Sequence, residues 1–316
     1  MKRGRKVILG ILAVWLLMAG PAWSADKVAF MLDWYPNPDH VPLYLAAEAG
    51  FFKDEGLEVD IIPPADPNDP LKLVAAGKIP FAVNYQPGVI MARAEGLKVV
   101  SIGALVQHPL SCILFLKSSG FKTPADLKGR RVGYSVDPLY RVLFEAVAEK
   151  AGLGPKDYEL IRVGFNLTPP LLSGQVDAVC GAFKNYEAIQ VELEGKAAGI
   201  FALEEHGVPD FYELVLITNA EEIKARPARV QAFMRAVTKG IERTLADPQG
   251  SFEVFLKKHP DLRNELNRRS YQASLASFKG SPAQDGAKWE KFQEFMLKRR
   301  LIEKPMPLTD MIWPGK

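Results

Sequence analysis

Short apolar runs alternate along this chain with longer amphipathic ones, in an order that occurs twice. Residues 28–32 read as a buried strand; after a polar interval holding two prolines, a helical pattern covers 40–52, and Gly56 closes it. A second strand, 57–62, follows. Beyond a link rich in Pro and Asp, residues 71–83 read as a short helix stopped by Gly77 and leading into another buried strand. The second half repeats the order with strand 131–134, loop 135–138, helix 139–151 stopped by Gly152, and strand 158–163. Residues 170–180 then match 71–83, with Gly174 standing where Gly77 stood. Two βαβ-rich halves are therefore expected.

The joints carry their own punctuation. Thr123 is a helix N-cap followed by Pro124, with Asp126 in the first turn and Gly129 ending it, so one helical turn should precede strand 131–134. Pro227 opens a helix with Val230, Phe233, Met234, Val237, Ile241 and Leu245 on one stripe, ending near Asp247 and Pro248; these positions are core. Runs 251–258, 262–278 and 287–300 read as helices that wrap the first half. Strands alternating with helices argue for an α/β fold of parallel sheets covered on both faces. In such sheets ligands collect beyond the carboxyl ends of the strands.

Residues 1–24 alter the charge and the address. Lys2, Arg3, Arg5 and Lys6 precede an apolar run at 7–18 and then Ala22-Trp23-Ser24, the order of a cleavable export signal. The run is short for a bilayer span, no second one follows, and Ala25 rather than a Cys stands directly after the cleavage point. A soluble periplasmic protein without a lipid anchor is expected. The chain of 316 residues carries 40 basic and 37 acidic side chains, and loss of the four leading bases leaves 36 against 37, so +3 becomes −1. With no sustained Lys/Arg stripe, nucleic acid and anionic membranes are poor partners, and Lys298-Arg299-Arg300 reads as a solvated helix face. Cys112 and Cys180 each lie in an apolar run, as two buried thiols or as one disulfide. Neither zinc spacing nor a His beside a thiol is present, so no metal and no cofactor are expected. The roughly 290 residues left after cleavage are enough for two lobes.

Four strand-end loops combine an aromatic ring with amide, hydroxyl or acid groups. They are residues 33–40, 84–87, 135–140 and 183–187, and their candidate ligand-binding residues are Asp33, Trp34, Tyr35, Asn37, His40, Asn84, Tyr85, Ser135, Tyr140, Phe183, Asn185, Tyr186 and Glu187. Pro36 and Pro38 fix φ and remove donors, making the first loop stiff before anything binds. Structural roles compete at several of these positions. Asp33 can brace its loop, His40 can start a helix, Trp34 can be core, Tyr85 can pack on Pro87, and Glu187 can favour a helix dipole. Asp137 at the 135–138 helix start would repel phosphate, which favours an unphosphorylated ligand.

The phrases at 32–37, 46–52, 123–133 and 174–178 resemble the solute-binding proteins of ABC importers that share a family with thiamine-pyrimidine synthases. The likeness covers nearly all of the chain after the signal, and residues 33–37 and 183–187 most resemble the formylaminopyrimidine-binding branch. The resemblance implies a two-lobed periplasmic binding protein fold of type II, each lobe a mainly parallel sheet flanked by helices. The lobes would comprise 25–108 with 205–316, and 109–204, with hinge crossings near 107–110 and 202–212. It also implies an ABC permease as partner and a small nitrogen heterocycle as cargo; a monomer is expected, and with no Gly-x-Ser-x-Gly elbow, metal-spaced His pair, phosphate loop or dinucleotide glycine pattern in the sequence, catalysis is not. An aminopyrimidine offers two π faces and an amino donor beside a ring-nitrogen acceptor. Trp34 or Tyr35, Tyr85, and Phe183 or Tyr186 could stack on it, with Glu187 taking the amine and Asn37 or Asn185 completing the edge. The alternatives are a riboflavin or sulfonate carrier and, from another class, the pyrimidine synthase itself; the synthases carry a cysteine-rich segment that two isolated cysteines do not match.

Overall fold

The computed structural model describes residues 25–315; the expected export signal at 1–24 lies outside them. Its strands are β1 (Asp26–Met31), β2 (Leu57–Ile62), β3 (Phe81–Asn84), β4 (Val99–Val106), β5 (Ser111–Leu116), β6 (Arg130–Tyr134), β7 (Tyr158–Arg162), β8 (Ala178–Phe183), β9 (Ala198–Ala202) and β10 (Leu214–Asn219). They form two five-stranded sheets of the same design, ordered β2-β1-β3-β10-β4 and β7-β6-β8-β5-β9. Each is mainly parallel, but the fourth strand runs against its neighbours: β10 in the first sheet, β5 in the second.

That departure from a wholly parallel sheet follows from how the chain changes lobe. It leaves β4 at Val106 and enters β5 at Ser111, then leaves β9 at Ala202 and enters β10 at Leu214. A strand entered after so short a crossing starts at the cleft end, where the parallel strands finish, so it must run away from the cleft. In each lobe the reversed strand is thus the first one after a crossing, and both crossings lie beside the cleft.

Local chemistry sets the element ends. The helix expected over 40–52 is two helices, Val41–Glu48 and Phe51–Asp54, because Gly50 adopts a left-handed φ of +82° between them. The helix expected over 262–278 is confined to Glu265–Ser274, between short 3-10 turns at Pro260–Leu262 and Leu275–Ser277. The long Pro227–Ala246 helix buries Phe233 among Phe30, Phe52 and Phe81, with the Phe81 ring stacked at 4.1 Å. Cys112 and Cys180 are buried free thiols on the paired strands β5 and β8, and burial pushes both thiols up, so neither is a ready nucleophile.

Where Pro227–Ala246 crosses Val41–Glu48, the point of closest approach is Gly240. A Cβ there would stand 2.3 Å from the Pro42 carbonyl oxygen and 2.9 Å from Ala46 Cβ. Backbone cannot swing aside, so Gly240→Ala should force the helices apart and cost about 1–3 kcal/mol by overpacking. Urea denaturation checks this; an unchanged midpoint would refute the close crossing.

Candidate functional site

The loop after β1 is braced from within. Asn37 caps the Pro38–His40 turn, its Oδ1 accepting the Asp39 amide at 2.9 Å, while the Asn37 amide donates to His40 Nδ1 at 3.3 Å. Because Nδ1 accepts, the ring proton sits on Nε2, which meets Asp33 Oδ1 at 2.9 Å. The other Asp33 oxygen accepts the Tyr85 hydroxyl at 2.9 Å. Asp33 is thus fully used in fixing Tyr85, the first residue past β3.

The second lobe mirrors this arrangement. Tyr140 donates its hydroxyl to Glu213 Oε1 at 3.0 Å, and its ring meets Tyr85 edge-on with centroids 5.8 Å apart. Burial first, and the adjacent carboxylates second, push both phenols well above their ordinary range, so both stay protonated hydroxyls. Gly181 makes room for the Tyr140 ring. It is the extra residue of a bulge, skipped between the Cys112–Ala182 and Ile113–Cys180 pairs, with φ at +92°.

Between the lobes lies a cavity of about 20 Å³ lined by Asp33, Trp34, Asn37, Tyr85, Ser135 and Tyr140, together with Leu167, Gly181, Phe183, Tyr186 and Glu187. Room for little more than one water means that the walls nearly meet. Ser135 is fully buried, and its hydroxyl has no partner among the described residues. Glu187 begins the Glu187–Leu193 helix and accepts the Phe183 amide on Oε2 at 2.7 Å. Burial pushes its carboxyl up to about 7, against the pull of the Phe183 and Glu187 amides and with a further push from Asp39.

Four candidates do not line the cavity. Tyr35 is about half exposed and packs on Phe165 of the second lobe, which also meets Trp34 edge-on, both centroid distances being 4.5 Å. His40 is wholly buried behind Asp33. Asn84 is buried at the end of β3, its Oδ1 against Gly88. Asn185 points across the lobes, donating to Asp39 Oδ1 at 2.8 Å and Ser274 Oγ at 2.9 Å.

Residues that sequence reasoning passed over are Phe165, Leu167, Gly181 and Glu213. Phe165 and Leu167 follow β7, so the strand-end rule applied to that strand as well would have found them. Glu213 stands as a lone acid inside the apolar run 211–217, a signal in its own right. Only the packed structure shows what Gly181 is for.

Comparison with known proteins places this geometry in context. The family described as NMT1/THI5 like matches residues 37–251. A thiamine biosynthesis protein of Haemophilus influenzae is 39% identical over 93% of this chain and 94% of its own. The formylaminopyrimidine-binding protein of Halalkalibacterium halodurans is 36% identical over 91% and 89%. A 4-amino-5-hydroxymethyl-2-methylpyrimidine phosphate synthase of Saccharomyces cerevisiae is 31% identical over 85% and 82%. Among solved structures, the alkanesulfonate-binding protein of Xanthomonas axonopodis pv. citri bound to MOPS superposes with a TM-score of 0.71 at 18% identity, over 91% of this chain and 98% of its own. This last likeness establishes the two-lobed binding-protein fold.

Proposed function

We propose that this chain, which belongs to the NMT1/THI5-like family, is an exported binding protein that captures a thiamine-precursor aminopyrimidine between its lobes and delivers it to an ABC permease. The observation that carries this reading is the cavity itself, where Trp34, Tyr85, Tyr140 and Tyr186 supply π faces from both lobes around the Glu187 carboxyl, the other lining carboxyl, Asp33, being taken up by Tyr85 and His40. A carboxyl raised to about 7 still carries its proton on the acid side of neutrality. It can then donate to a ring nitrogen while accepting from the neighbouring amine, the paired contact that a carboxylate alone cannot make. Ser135, with its free hydroxyl, offers one further polar contact to a ring substituent. Relatives that bind formylaminopyrimidine and relatives that make the phosphorylated pyrimidine share the heterocycle, which supports the cargo class. The export signal expected at 1–24 favours transport over synthesis.

The lobes would part about the crossings after Val106 and Ala202 and close on the ligand, and closure would create the face that the permease meets. Glu187→Ala and Tyr85→Ala should each weaken binding of formylaminopyrimidine at least about tenfold, about 1.4 kcal/mol, by calorimetry. Unchanged affinity in both removes the site assignment. Native mass spectrometry of protein purified from its own periplasm tests the cargo: a retained flavin or sulfonate mass would replace the pyrimidine reading.

A further inference from the structure

Asp39 and Asn185 face each other from opposite lobes, both almost fully buried, and share a single hydrogen bond from Asn185 Nδ2 to Asp39 Oδ1. The remaining oxygen of each group, Asp39 Oδ2 and Asn185 Oδ1, is buried without a partner among the described residues. The Ser274 hydroxyl accepts from Asn185 and lies at 2.9 Å from the Ser270 carbonyl, and it also pulls the Asp39 carboxyl down. Both orphans are acceptors, so one added proton held between them would satisfy the pair. A carboxylic acid and a primary amide share two bonds when the acid is protonated.

We propose that Asp39 and Asn185 form a proton-operated clasp between the lobes, in which a proton on Asp39 Oδ2 donates to Asn185 Oδ1, so that closure takes up one proton. The balance is simple: solvent gives up the proton, no bond other than hydrogen bonds changes, and opening returns it. The surroundings favour the neutral acid. Burial pushes the Asp39 carboxyl up, as does Asp33 beside it; His40, Ser274 and Asn185 pull the other way. From the second lobe the facing titratable groups are Glu187 and the Tyr186 phenol. The helix Glu265–Ser274 presents the Ser270 and Ser274 hydroxyls, both fully buried. A group raised in the closed form stabilises closure below its ordinary value, and that contribution fades as pH rises through the raised value. The closed form therefore loosens toward alkaline pH.

The clasp rests on lobe closure but not on what the lobes hold, so it is tested without ligand. Infrared spectra of the full chain labelled with carboxyl-13C aspartate, taken at about pH 6 where an unperturbed aspartate near ~3.9 is ionised, should show one protonated aspartic acid. That band should vanish in Asp39→Asn and persist in Glu187→Gln. Small-angle scattering should show wild type expanding as pH rises, while Asp39→Asn, whose amide can make both bonds without a proton, stays compact. Absence of the band, its survival in Asp39→Asn, or the same expansion in both proteins overturns the clasp.

Discussion

Glu213→Ala is expected to lower the unfolding free energy by about 3 kcal/mol or more, because it leaves several buried donors without an acceptor. Glu213 is fully buried, and its Oε2 accepts the Leu110 amide, the Ser111 amide and the Ser111 hydroxyl, each at 2.7 Å. It thereby ties the second crossing between the lobes to the first. Alanine would orphan two buried amides as well as the Tyr140 hydroxyl, at about 1–3 kcal/mol for each unsatisfied group before relaxation. Glu213→Gln should cost less, since its carbonyl can still accept from the amides. The pH response gives a second reading. Burial raises the carboxyl from 4.5 to about 7 against the pull of its donors, so the folded state binds more protons between those values. Its stabilisation is complete below 4.5 and lost as pH climbs through about 7, and Glu187 shifts in the same direction for the same reason. Guanidinium melts across this window should therefore show wild type weakening with rising pH, and Glu213→Gln weakening less. A Glu213→Ala protein as stable as wild type would refute the role of this residue in joining the crossings.

Gly181→Ala should damage stability and binding together. The new Cβ would lie 2.5–2.8 Å from three atoms of the Tyr140 ring, at a φ of +92°. Overpacking costs about 1–3 kcal/mol, and a left-handed backbone adds roughly 1–2 kcal/mol for a residue with a Cβ. The ring cannot turn away freely, because Glu213 holds its hydroxyl. Tyr140 would therefore be displaced, and under the proposed function affinity for formylaminopyrimidine should fall at least about tenfold, about 1.4 kcal/mol. A double-mutant cycle isolates the cause: in a Tyr140→Ala background the clash disappears and only the backbone penalty remains. Equal penalties in both backgrounds would mean that the ring is not what the glycine accommodates.

Glu187 and Asn185 illustrate how far the chain could be read. Both sit in a loop that the sequence singles out, two residues apart, and composition cannot separate them. Their roles diverge because the helix beginning at Glu187 keeps its carboxyl by the cavity, whereas Asn185 reaches Asp39 and Ser274 on the other lobe. His40 and Asp33 likewise sit in the expected loop, yet only Asp33 reaches the cavity; His40 lies behind it and holds its carboxylate against Tyr85.

The sequence by itself determined the alternation of strands and helices, the duplicated βαβ order, the glycine stops and the strand-end loops that carry rings and amides. These are local or periodic properties, set by backbone sterics and by which face of an element is apolar. Tertiary structure alone decided the reversed fourth strand of each sheet, the bulge at Gly181, the partnership of Glu213 with the first crossing, and the meeting of Asp39 with Asn185. Each depends on contacts between residues far apart in the chain, whose pairing is fixed only when both lobes pack and buried polar groups must find partners across the cleft.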